Sequence, residues 1–207
     1  MTTQKFPTTN TIVIRQATKN DISIIARCVF AAMDILDFDT YIPDEMVIPM
    51  KNLEKAALDS TRLYSCQNSL IAEINGEPVG CIISYSGDRY DSLRKRTFDI
   101  LYEQSGLDLR DNPRETGPGE YYLDCMAIKP DFRRKGIGHL LMSKAIDKGK
   151  AMGFKRFTLL VEKSHSRLAN YYTQLGFAPK EEMFAFGEVY VKMELKVDDS
   201  CLTSNVS

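Results

Sequence analysis

The chain has 207 residues, 27 of them Lys or Arg and 28 Asp or Glu, for a formal net charge of −1. This length suits one well-cored domain and is short for two. The balanced charge, with a pI near 6.2, sets up no global field that would favour nucleic acid or an anionic membrane.

No apolar run approaches the roughly 20 residues of a spanning helix, and the opening MTTQKFPTTN lacks a signal peptide's apolar stretch. Cys28, Cys66, Cys81, Cys125 and Cys201 are odd in number and lack CxxC spacing. A reducing, cytoplasmic setting is therefore expected. His139 and His165 are the only histidines, so no metal site is expected.

Residues 1–10 are polar and expected to be disordered. Thr11–Ala17 alternates as a strand, and Thr18 with Asp21 three residues on looks like a capping box. The next helix runs to about Met33, with Ile22, Ile25, Ala26, Val29 and Phe30 on its buried side. From Asp34 to Met50 the pattern breaks around Pro43 and Pro49 and predicts an acidic loop, before a short helix from Lys51 to Leu58. Leu70–Ile74 and Val79–Tyr85 are strands joined across Asn75-Gly76, a strong hairpin signal.

Ser86 to Gly119 is an unusually long connection. Its first part has Leu93, Phe98, Leu101 and Tyr102 near helical spacing, with Gly106 as a stop. Its second part, LDLRDNPRETGPGE, is irregular, and connections of this length tend to be lids or binding loops. Tyr121–Ile128 is then an apolar β run that Pro130 ends. A basic glycine turn, RRKGIG, leads into a helix with Ile137, Leu141, Ala145 and Met152 on one face. Arg156–Val161 is a strand, Ser164–Leu175 a helix ended by Gly176, and Ala178–Phe186 and Glu188–Lys196 are strands about Gly187. The polar tail, 197–207, is expected to be disordered. One α/β domain over 11–196, with 86–119 as an insertion, is the expectation.

The strand–turn–helix around RRKGIG reads as a pyrophosphate cradle. A helix start presents unpaired amides and the positive end of the dipole. Gly136 and Gly138 let backbone approach a ligand closely, and Arg133, Arg134 and Lys135 add cations. A P-loop would need GxxxxGK before Ser or Thr, and a dinucleotide fingerprint a third glycine where Leu141 stands. Both readings fail.

The order and spacing of these features resemble the GNAT superfamily of acyl-CoA-dependent N-acyltransferases. Arg133-Arg134-Lys135-Gly136-Ile137-Gly138 matches its Gln/Arg-x-x-Gly-x-Gly/Ala motif. YYTQLGF, Tyr171 to Phe177, looks like its Tyr-x-x-x-Gly-Phe signature with Tyr172 as the tyrosine, and IVIRQATKNDISIIARCVFAA looks like its first strand and helix. The likeness covers roughly Thr11 to Leu195. It implies a single domain with a mixed, twisted sheet of about six to seven strands flanked by helices. The long, partly helical insertion before the central strand departs from the superfamily.

The resemblance also implies acetyl-CoA as acyl donor and a primary amine as acceptor, joined by direct attack in a ternary complex. Strands Tyr121–Ile128 and Arg156–Val161 would splay apart, and the pantetheine arm would pair with backbone near Met126, Ala127 and Ile128. The pyrophosphate would lie on Arg133 to Gly138, with His139 next in the turn. An asparagine is usual six residues before the tyrosine; Ser166 stands there, a shorter group with a donor and an acceptor.

A lysine-like ammonium must lose a proton before it attacks, which costs about 4–5 kcal/mol at pH 7. A carboxylate helps. Strict alternation puts Tyr122, Asp124 and Met126 on one face, where the superfamily often carries its base, so Asp124 is the candidate and Glu120 the runner-up. Tyr172 matches the superfamily's acid for the CoA thiolate, and a core tyrosine with a polar tip also suits that position. A non-catalytic acyl-CoA sensor would keep the cradle and need neither Asp124 nor Tyr172. Neither nucleic acid nor a membrane is expected as partner, and a monomer or homodimer is.

Overall fold

The computed structural model describes residues 11–106 and 108–198. The expected N-terminal disorder, and the tail from 199 on, lie outside the described residues. Among the described residues seven strands form one mixed sheet: β1 (Ile12–Gln16), β2 (Ser69–Ile74), β3 (Glu77–Ser86), β4 (Tyr121–Ile128), β5 (Arg156–Glu162), β6 (Ala178–Ala185) and β7 (Glu188–Lys196), in the order β1-β2-β3-β4-β5-β7-β6. Within it β4 and β5 run parallel, and the other neighbouring pairs are antiparallel.

The helices that cover the sheet are α1 (Ile22–Ala32), α2 (Asp44–Ala57), α3 (Tyr90–Ser105), α4 (Ile137–Ala151) and α5 (Ser166–Gln174). Residues from α1, α2 and α3 (Ile25, Phe30, Leu53, Phe98) share one core with Ile71, Ile83 and Tyr85 of the sheet. On the other face, Ile137 and Leu141 of α4 and Tyr172 of α5 pack with Ile82, Leu123 and Phe157. Gly149 brings α4 close to the sheet: a Cβ there would lie 2.5 Å from Phe157 and 2.8 Å from Tyr121.

Local chemistry explains most boundaries. The Thr18–Asp21 capping box forms, and Asn75 and Gly76 both take positive φ, as a two-residue hairpin requires. The segment 34–50 differs from expectation, because α2 begins at Asp44 and continues through Pro49. Asp44 and Glu45 stand in its first turn and suit the positive helix end, so part of the segment's acidity serves a helix start rather than a loop. The insertion leaves and rejoins the sheet at one point, where the Gly87 amide donates to the Glu120 carbonyl at 2.8 Å. Within it α3 buries Tyr90, Leu93, Phe98 and Leu101, while Tyr102 is exposed.

Two irregularities in β4 open the sheet at its centre. The register with β3 passes from Ile83↔Cys125 directly to Ser84↔Leu123, so Asp124 is an extra, bulged residue. The bulge resets the alternation: Tyr122 and Cys125 join the α1 core, whereas Leu123 and Met126 join the α4 side. The expectation that Tyr122, Asp124 and Met126 share a face is therefore corrected. Second, β4 pairs with β5 only at Tyr121↔Phe157 and Tyr122↔Thr158, although β5 stays paired with β7 as far as Glu162. Beyond Tyr122 the two parallel strands splay.

Candidate active site

The splay opens a cleft of about 920 Å³ whose lining includes Asp124, Met126, Arg133, Leu160 and Tyr172. A second hollow of about 540 Å³ follows Met126, Ala127, Ile128 and Arg133 along β4 towards the cradle. The bulge, the splay and the glycine turn thus converge beyond the C-terminal end of the central strand, where open α/β sheets bind ligands.

In the cradle, Arg134 and Gly136 both have positive φ, 61° and 80°. These residues turn the chain so that α4 starts with Gly136 as its cap and Ile137 as its first residue. The first-turn amides have no partner within the helix. Arg133 reaches back to donate to the Ile128 carbonyl at 2.9 Å and pairs with Asp37. Lys135 lies over the Phe132 ring at 5.2 Å. Arg134, Lys135, Gly136, His139 and Ser166 are exposed. Ile137 is 1% exposed in the core, so what it can offer a ligand is backbone. Gly138 faces Ile128, Met126 and the Tyr171 hydroxyl, the last 3.5 Å from where a Cβ would stand. That hydroxyl is buried and has no hydrogen-bond partner among the described residues, which fits a site that a ligand with polar groups completes.

Asp124 projects from the bulge. Its Oδ2 accepts from the Tyr85 hydroxyl at 2.6 Å and its Oδ1 from the Cys125 thiol at 3.1 Å. Burial raises its pKa, and the Tyr85 and Cys125 hydrogen bonds oppose that rise. A raised carboxylate is a stronger proton acceptor and is better matched to a base near neutral pH. Tyr172 is 8% exposed, its ring edge-on to Phe177 at 6.0 Å. Burial pushes its phenol up, with the Tyr171 and Cys125 sites adding to the effect, so it holds its proton until a stronger base appears.

Glu120 stands elsewhere. Preceding the paired end of β4, it accepts from Arg156 at 2.8 Å and Lys180 at 3.3 Å on Oε1, and from Thr116 at 3.0 Å on Oε2. Lys192 closes on Oε2 at 2.9 Å. Burial opposes its ionisation, but Lys192, Thr116 and Lys180 outweigh that and hold it down at about 2. A carboxylate so held is a poor base. The expectation for Glu120 is corrected to a structural ion cluster.

The sequence reading missed Glu115. It comes from the irregular half of the insertion and accepts from Tyr90 at 2.9 Å and Tyr122 at 2.8 Å. Burial, and then the charge at Asp124, push it up to about 7. No short motif marks it; the one signal was the length of the connection. Asp34, Glu162 and His165 also place ligand atoms within 4.8 Å of one another at the cleft rim.

A model of the acetyltransferase (GNAT) family matches residues 32–177. An uncharacterized N-acetyltransferase of Methanocaldococcus jannaschii is 27% identical over 111 residues, 54% of this chain and 39% of that protein, so the chain spans well under half of that relative's length. A crystal structure of an acetyltransferase is 27% identical with a TM-score of 0.71, covering 90% of this chain and 100% of that one. The PaiA N-acetyltransferase of Thermoplasma acidophilum, solved in complex with coenzyme A, is similar in fold at 18% identity and a TM-score of 0.58, over 90% of this chain and 99% of that one.

Proposed function

The chain belongs to the acetyltransferase (GNAT) family, and on that premise we propose that it moves an acetyl group from acetyl-CoA to a primary amine by direct attack in a ternary complex. The observation that carries this reading is the cleft that Asp124 and Tyr172 line together, opening beside Arg133 of the cradle. A coenzyme A complex of a protein of the same fold supports the choice of donor.

Acetyl-CoA supplies an activated thioester. First-turn amides of α4, with Arg133 and Arg134, hold its pyrophosphate. The unpaired edge of β4 at Met126, Ala127 and Ile128 meets the pantetheine amides, and an N–H there stabilises charge on the thioester oxygen. Asp124 takes the amine's proton as the C–N bond forms; Tyr172 gives a proton to the departing sulfur as the C–S bond breaks. The sum is amine plus acetyl thioester to amide plus thiol. Direct attack is favoured over an acyl-cysteine, because burial, then the Asp124 charge, push the Cys125 thiol well up and leave little thiolate.

Calorimetric titration with acetyl-CoA, beside Gly136→Glu, tests the donor site. Binding that the variant abolishes is expected, since φ of 80° and an added carboxylate both oppose it there. Folded protein that binds no acetyl-CoA would defeat the reading.

A further inference from the structure

Beside the cleft, and sharing Asp124 and Leu160 with it, lies a second pocket of about 310 Å³. It is enclosed by the end of α1, the insertion, β4, β5 and the β6–β7 hairpin. Its volume is at the lower end for small-ligand sites, roughly 300–1,000 Å³. Four carboxylates line it, Glu115, Asp124, Glu162 and Glu188, and none of its lining residues is Lys, Arg or His.

The pocket is built rather than merely acidic. Tyr64 lines it and is only 7% exposed, and both oxygens of Glu115 are held there by the hydroxyls of Tyr90 and Tyr122. The Tyr64 phenol is pushed up by burial and then by the charges at Asp124, Cys125 and Glu115. Glu115 is deep, at 8% exposure, whereas Glu188 is at the rim. Phe186 and Tyr190 stand edge to face beside that rim, with centroids 6.2 Å apart. Carboxylates with aromatic faces recognise ammonium groups.

We infer that this pocket is the acceptor site, that the insertion completes it with Glu115, and that it takes a compact amine carrying a second ammonium group. One nitrogen is delivered to Asp124 at the junction with the cleft, and the other sits among Glu162, Glu188 and Tyr190. Glu115 closes the inner end as an acceptor held by Tyr90 and Tyr122 without bringing in a cation that would repel the substrate. This rests on the acyl-transfer reading above.

Three four-carbon amines that differ only at the far end form the test: 1,4-diaminobutane, n-butylamine and 4-aminobutanoate. Thiol release in acetyl-CoA should give kcat/KM at least tenfold higher for the diamine than for n-butylamine, with 4-aminobutanoate slowest. Glu162→Gln with Glu188→Gln, both towards the rim, should shrink the diamine advantage below threefold. Calorimetry of 1,4-diaminobutane into the CoA-saturated protein should show at least threefold weaker binding in Glu115→Gln. Equal rates for the three amines, a preference for the neutral or acidic far end, or no transfer to any of them by protein that binds acetyl-CoA would overturn the inference and leave the donor reading standing. Unchanged diamine affinity in Glu115→Gln would overturn the insertion's part. Absence of acetyl-CoA binding would remove both.

Discussion

β4 separates two buried carboxylate clusters that the protein compensates in opposite ways. Before the strand, Glu120 is 5% exposed and ringed by Arg156, Lys180 and Lys192. At the bulge, Asp124 and the insertion's Glu115 are also enclosed, yet their partners are Tyr85, Tyr90, Tyr122 and Cys125. Cations fix a charge; phenols and a thiol solvate it and leave it able to change. One pKa falls to about 2 and another rises to about 7. What separates structural from chemical carboxylates here is the partner, since burial is common to both.

The largest effect expected from that contrast is at Asp124. Asp124→Asn keeps shape and removes the carboxylate proposed as base, so kcat should fall by about 10²–10⁴ with acetyl-CoA affinity retained. In the parent, turnover should rise with pH as Asp124 ionises, through a midpoint above the ordinary carboxylate range. The variant should recover as pH rises and the amine deprotonates unaided. A kcat within threefold of the parent at neutral pH would move the base elsewhere.

Glu120→Gln should spare chemistry and damage folding. It leaves Lys192, whose side chain is 9% exposed, without its close partner, and breaking such a pair costs about 3–5 kcal/mol. Denaturant titration should show that loss, while KM for acetyl-CoA stays put. A stable variant with reduced kcat would return Glu120 to the site.

Legibility in the sequence tracks the range of the interactions. RRKGIG and the Tyr172 signature are local, so the glycine turn and the helix that carries Tyr172 can be read directly, as can the order of strands along the chain. Asp124 is reached from sequence for an incomplete reason. Alternation places it with Met126, whereas a bulge visible only in the β3–β4 register puts it between faces. Glu120 and Glu115 escape a sequence reading because their partners are distant: Lys192 lies on β7, and Tyr90 and Tyr122 are separated from Glu115 by a helix and a turn. Helix α2 comes out too short from sequence because Pro49 outweighs an acidic first turn.

The smallest expected effect isolates the second carboxylate cluster through pH. Glu115 has a folded pKa raised from 4.5 to about 7. Its neutral form is the one the fold prefers, so its contribution is whole below about 4.5 and is lost as pH rises towards 7. Glu120 runs the other way, with a contribution present above 4.5 and lost as pH falls towards about 2. Glu115→Gln mimics the neutral acid. The gap in Tm between variant and parent should therefore grow in the variant's favour from pH 4.5 to 7 and then level off. A gap that stays constant across that window would mean that Glu115 titrates like an exposed glutamate, and the pairing with Asp124 would lose its electrostatic basis.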